Sequence, residues 1–166
     1  MEAQIVGLCA LILSTLSFQL KTRKQILIAQ IFTVVMFSLH FAMLGAITGA
    51  AMNATSIVRN IVFYNRDKKF FSGNIWVAVF IAVNIIVGAI FWQNWTSLLC
   101  IAAMVVNTVS MSLKNPQHVR AVMLASSPFF LVYSILTCSV GGTVNELIAG
   151  TSGVIALIRY RKKGSA

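Results

Sequence analysis

The stretch Ile47–Asn65, ITGAAMNATSIVRNIVFYN, decides the topology of this chain. It has the length of a membrane-crossing helix, since about 17 to 20 mostly apolar residues suffice. Yet it carries Asn53, Arg59 and Asn60 among its apolar residues. Either it spans the bilayer, or it lies along the interface and every later segment reverses its direction.

Six further apolar runs flank it: Gln4–Leu20, Gln25–Leu44, Asn74–Trp92, Trp95–Leu113, His118–Thr137 and Gly141–Arg159. The cations between and after the runs form four groups. Lys21, Arg23 and Lys24 follow the first run, and Arg66, Lys68 and Lys69 follow the third. Lys114 and Arg120 flank the connection between the fifth and sixth, and Arg159, Arg161, Lys162 and Lys163 end the last. If Ile47–Asn65 spans, all four groups fall on one side. The opposite connections, around Gly45, Gln93-Asn94 and Cys138–Gly141, hold no Lys or Arg. Positively charged loops stay in the cytoplasm, so the pattern predicts seven spans, N-terminus outside and C-terminus inside. Trp76, Trp92, Trp95 and Tyr160 lie near helix ends, where interfacial aromatics belong.

Composition leads to the same class. The 166 residues are 58% hydrophobic and 10% charged, with a mean hydropathy of +0.88. A soluble domain carries about a quarter charged residues, and one this small has too little interior to bury so much apolar surface. The net charge of +10 does not signal nucleic-acid binding, because the cations sit in short clusters between apolar runs. Cys9, Cys100 and Cys138 lie far apart, with no CxxC and no His/Cys cluster of metal-ligand spacing, and read as small packing residues. Met1-Glu2-Ala3-Gln4 lacks the positive region of a secretory signal, so the first run is expected to remain as a helix.

The sequence points to an internal repeat. Ser14-Thr15-Leu16-Ser17-Phe18-Gln19-Leu20-Lys21 resembles Asn107-Thr108-Val109-Ser110-Met111-Ser112-Leu113-Lys114, with four of eight residues identical at an offset of 93 residues. The same offset pairs Phe37 with Phe130, His40 with Tyr133 and Gly49 with Gly142. With an offset of 96, Thr55-Ser56 pairs with Thr151-Ser152 and Tyr64 with Tyr160. The duplicated unit is three helices. A lone fourth helix lets both triplets insert in the same orientation, as the charges require. The expected fold is an all-α integral membrane protein, seven transmembrane helices arranged as a 3+1+3 parallel tandem repeat. Its parts are residues 1–69 as first repeat, 70–93 as linker helix and 94–166 as second repeat.

This plan resembles the SWEET sugar transporters and the PnuC-type vitamin transporters. The prolines differ from the SWEET pattern, with Pro116 in a loop and Pro128 inside the sixth run. Length, span pattern and opening segment resemble the YgjV family of bacterial inner-membrane proteins over nearly the whole chain. That resemblance implies a bacterial inner membrane.

Polar residues within the spans are the candidate site. An Arg at mid-membrane costs about 2.5–3.5 kcal/mol on insertion scales and so faces protein or water. Arg59 either snorkels to the cytoplasmic interface or lines a site. Glu146 is the acid inside a span, either a proton-coupling carboxylate or a group at a hydrated outer mouth. Asn53, Ser56 and Asn60 share one face of the third helix by the 3.6-residue period, and Asn145, Ala149 and Ser152 share one face of the seventh. Such stripes line a solute pathway or fasten helices by hydrogen bonds of about 0.6–2 kcal/mol. Asn107 has Ser14 as its repeat partner, Asn84 is expected to fasten the linker helix, and His40 reads as an interfacial ring. Pro128 is expected to kink its helix. Gly150-Thr151-Ser152-Gly153 resembles a rhomboid nucleophile motif, but no His follows Ser152 to act as base.

The sequence therefore predicts a transporter of a small polar solute, or a relative of one, with Asn53, Arg59, Asn60, Asn107, Asn145 and Glu146 around a midplane site. The alternative is a structural or accessory membrane protein whose polar residues only fasten helices. The expected partners are the lipid bilayer and a small polar solute. No cofactor, metal, nucleic-acid or catalytic role is expected.

Overall fold

The computed structural model describes residues 2–163, and every regular element among them is helical. The seven α-helices are α1 (Glu2–Gln19), α2 (Arg23–Met43), α3 (Ile47–Tyr64), α4 (Ile75–Ile90), α5 (Thr96–Ser112), α6 (Pro116–Leu136) and α7 (Val140–Lys163), with a 3-10 turn at Lys69–Phe71. Predicted and observed ends agree within two residues, except that α7 continues to Lys163. Four helices, α1, α2, α6 and α7, are long and apolar enough to cross a bilayer. α4 and α5 are apolar but shorter, at 16 and 17 residues. α3 has 18 residues and carries the polar stripe.

Local chemistry sets the boundaries. Thr22 caps α2 in a reciprocal box with Gln25. Asn115 caps α6, whose first position is Pro116, where a missing N–H costs nothing. At the far end of α2, Gly45 takes a φ of +72°. The Gly45 and Ala46 amides donate to the Ala42 and Phe41 carbonyls at 3.1 and 2.9 Å, a Schellman closure. The turn after α6 repeats it. Cys138 takes a φ of +53°, and the Cys138 and Ser139 amides donate to Ile135 and Ser134 at 3.1 and 2.8 Å. Gly45 and Cys138 are themselves 93 residues apart. α6 runs unbroken through Pro128.

The helices close into a ring. α1 packs on α2, α2 on α3, α3 on α5, α5 on α6, α6 on α7 and α7 back on α1, while α4 lies outside against α3 and α5. Exchanging α1 with α5, α2 with α6 and α3 with α7 maps this order onto itself. The ring is apolar outside and polar inside. Ile5, Leu8, Ile12 and Leu16, one outward stripe of α1, are 49–60% exposed, whereas Ser14, Ser17, Gln30, Thr33, Asn53 and Asn60 are buried. Water would invert that pattern, and lipid favours it.

The cations gather at the end holding the α1–α2, α3–α4 and α5–α6 connections, hereafter the basic end. The side chains of Tyr160, Arg161, Lys162 and Lys163, which the sequence also assigns there, lie outside the described residues. Two of these cations fasten one triplet to the other. Arg23, in the first turn of α2, donates through Nε to Leu113 O at 2.8 Å and through Nη2 to Met111 O at 3.3 Å and Phe63 O at 2.8 Å. Arg120, in the first turns of α6, donates through Nε to Phe18 O at 2.9 Å and through Nη2 to Leu20 O. Phe18 and Leu20 are the 93-residue counterparts of Met111 and Leu113. Each guanidinium thus satisfies the last carbonyls of the other half's first helix, where the helix dipole also favours a cation. On the same end Lys24 pairs with Asp67 at 2.6 Å, and its ammonium holds the Asp67 carboxyl below the usual carboxylate range. Both groups are exposed, so the pair contributes little stability.

The opposite end is closed by rings set against glycines. Tyr133 OH accepts the Gly49 N–H at 3.0 Å. The Gly142 N–H is accepted by Ser139 Oγ at 3.0 Å, and Ser139 Oγ lies 2.7 Å from His40 Nε2. His40 Nδ1 donates to Ala3 O at 2.7 Å, so Nε2 is the acceptor from Ser139. His40 is fully buried. It is a core ring between α1, α2 and α7, not the interfacial ring that its position suggests. A Cβ on Gly7 would lie 2.8 Å from the His40 ring, and one on Gly141 would lie 3.0 Å from Gly7 Cα. Glycine is what lets α1 and α7 approach.

The two Schellman turns yield a paired expectation. A left-handed residue other than glycine costs about 1–2 kcal/mol, so Cys138→Gly should raise the thermal unfolding temperature in detergent, and Gly45→Ala should lower it. A Cys138→Gly protein less stable than the parent would contradict the left-handed geometry.

Candidate functional site

A cavity of about 70 Å³ lies inside the ring. Its lining residues come from α1, α2, α3, α5, α6 and α7, and none from α4. It lies between two apolar clusters. Phe18, Met123 and Ala149 belong to the cluster nearer the basic end, and Phe37, Phe41 and Met104 to the one nearer the other end. Between them the wall is polar: Ser14, Gln30, Thr33, Asn53, Arg59, Asn107, Ser126, Ser127, Ser134, Asn145 and Glu146. This exceeds the roughly 10–15 Å³ that a cavity needs to hold one water, so this one has room for a few.

Arg59 sets the electrostatics on one side. It is 1% exposed, so it does not snorkel out. Its Nε donates to Asn60 Oδ1 at 3.1 Å, Nη1 to Thr108 Oγ1 at 2.9 Å and Nη2 to Asn107 Oδ1 at 2.9 Å. All three acceptors are neutral. Among the described residues no carboxylate lies within 4.0 Å of it. Thr108 is the hinge of this network, because its hydroxyl also accepts from Asn84 Nδ2 at 2.9 Å and donates to Met104 O at 2.8 Å. Asn84 therefore fastens α4 to α5, the role its central position in the linker helix suggests.

Glu146 lies across the cavity on α7. Asn145 Nδ2 donates to its Oε1 at 3.0 Å, and Ser127 of α6 lines the same cavity. Asn145 is 4% exposed, and its Oδ1 has no hydrogen-bond partner. Gln30 Nε2 donates to Ser17 Oγ at 2.9 Å, tying α2 to α1 beside the cavity.

Of the six residues singled out by sequence, five line this cavity: Asn53, Arg59, Asn107, Asn145 and Glu146. Asn60 stands behind Arg59 and orients it. Asn53 Nδ2 donates back to Gly49 O at 2.8 Å. Ser56 turns to Met52 O and Met104 Sδ, and Ser152 accepts from Gln19 Nε2 at 2.7 Å, so those two stripe members join helices. Sequence reasoning missed Gln30, Thr33, Ser126, Ser127 and Ser134. Gln30 was detectable, being an amide in the middle of a strongly apolar run. The hydroxyls gave no such signal.

Apolar outside, polar inside and with four helices long and apolar enough to cross a bilayer, this is the architecture of a multi-pass membrane protein. The chain belongs to the Imp-YgjV family, bacterial inner membrane proteins, whose sequence model matches residues 1–164. No curated protein and no solved structure matches it.

The network predicts a sharp difference between two substitutions. Thr108→Val leaves the Arg59 and Asn84 donors unmatched and should cost about 1–3 kcal/mol, whereas Thr108→Ser should stay near the parent. Thermal unfolding of both proteins in lipid nanodiscs measures it, and equal stabilities would refute the role of the hydroxyl.

Proposed function

We propose that the chain is a transporter of a small polar solute in the bacterial inner membrane. The observation that carries this reading is the cavity wall, where both three-helix halves contribute polar side chains to one small space. A buried charge needs compensation by pairing or hydrogen bonds. Fastening alone would be met more cheaply by hydroxyls and amides, or by apolar packing of the same volume. In this reading the chain crosses the membrane seven times as a 3+1+3 parallel repeat, N-terminus outside. α1–α3 and α5–α7 rock against each other about the cavity, as parallel-repeat transporters do. The basic end opens when the Arg23 and Arg120 contacts release, and the opposite end opens when the His40 and Tyr133 contacts release. No catalytic step is assigned.

A second reading keeps the protein as a structural or accessory component. The Arg59–Thr108–Asn84 network favours it, since those bonds join α3, α4 and α5 without reference to any solute.

Hydration separates the two. With Cys9, Cys100 and Cys138 replaced, single cysteines would be placed at Asn107, Asn145 and Asn60 and exposed to a small membrane-impermeant thiol reagent. A transport pathway predicts labelling at Asn107 and Asn145, which line the cavity, and little at Asn60, which does not. Labelling should rise when Arg23 and Arg120 are both changed to Ala. No labelling at any position, in folded protein, would leave the fastening role alone.

A further inference from the structure

Resting on that transport reading, we infer that the cavity takes a small zwitterion, with the solute carboxylate on Arg59 and its ammonium on Glu146 and Asn145. Among the described residues these are the two charged side chains on the cavity wall, one from each half. Among the described residues they pair neither with each other nor with any other charged group within 4.0 Å. Each is held only by neutral dipoles.

The spare hydrogen-bonding capacity fits such a solute at both ends. A guanidinium has five N–H donors, and three of those on Arg59 are used. The remaining two N–H groups are what a carboxylate takes in a charge-assisted contact. Across the cavity, the Glu146 carboxylate and the unpartnered Asn145 Oδ1 sit on adjacent residues of α7. Together they are acceptors for an ammonium, which brings three donors and no acceptor.

Charge also argues against the simpler solutes. An anion alone would satisfy Arg59 but be repelled by Glu146, and a cation alone would meet the reverse. A neutral polyol would leave both ions without a counter-charge. The zwitterion brings no net charge and neutralises both, a selection by repulsion as much as by attraction. The space, about 70 Å³ and so large enough for only a few waters, sets the scale at that of the smallest amino acids.

The test uses the full chain in lipid nanodiscs and five probes at matched concentration and ionic strength: glycine, L-alanine, acetate, ethylammonium and glycerol. A solute that binds the folded state raises its unfolding temperature. Glycine and L-alanine are expected to raise it and the other three to leave it unchanged. Arg59→Gln and Glu146→Gln should each weaken the glycine effect by about ten- to hundredfold in concentration, as loss of one charge-assisted hydrogen bond implies. Arg59→Lys should restore part of it. Stabilisation by acetate or glycerol equal to that by glycine would overturn the zwitterion and leave a solute cavity in place. No shift with any of the five would overturn it too, and the cysteine labelling would then decide separately whether the pathway exists. The wild-type panel stands even if a variant fails to fold.

Discussion

A guanidinium that is 1% exposed inside a lipid-facing bundle has to be solvated by protein oxygen, because the hydrocarbon offers none. How Arg59 meets that demand organises half of the molecule. Asn60 comes from its own helix, Asn107 and Thr108 from α5. α5 is thereby held against α3, and Thr108 passes the connection on to Asn84 of α4. The linker helix lies outside the ring, against the two helices this network joins. The other seam of the ring, α1 against α7, is built differently. Close approach at Gly7 and Gly141, with His40 packed over both, holds it together.

The two seams therefore use different chemistry within one plan. The Schellman turns at Gly45 and Cys138, the carbonyl pairs bound by Arg23 and Arg120, and the glycine amides bound by Tyr133 and by Ser139 with His40 all correspond at one offset of 93 residues. These correspondences relate features of α1–α3 to features of α5–α7. Where they diverge, the divergence falls on the cavity: Asn53 of α3 stands opposite Glu146 of α7 at that offset, and Arg59 has no charged counterpart. The cavity wall is therefore asymmetric.

Much of this was legible in the sequence, for physical reasons that can be named. Helix ends were readable because apolar runs stop at capping residues, at Gly45 and at charges. The site was readable because polar residues inside apolar runs are costly and so face inward. What escaped were interactions without a side-chain signature. Arg23 and Arg120 read as loop cations, since nothing in sequence shows that their acceptors are backbone carbonyls of a distant helix. His40 read as interfacial because its depth was judged along its own helix, while Ala3 and Ser139 cover it from two others. Whether Arg59 snorkels depended on α5 presenting Asn107 and Thr108 within reach, which is a property of packing.

The measurement closest to the central claim, a hydrated polar cavity at the heart of the ring, is hydroxyl-radical footprinting by radiolysis of internal water in lipid nanodiscs. Four methionines supply their own control. Met52, Met104, Met111 and Met123 are all 6% exposed or less, yet only Met104 and Met123 line the cavity. Water in the cavity predicts rapid conversion of Met104 and Met123 to the sulfoxide, with Met52 and Met111 spared. Equal protection of all four would contradict the account.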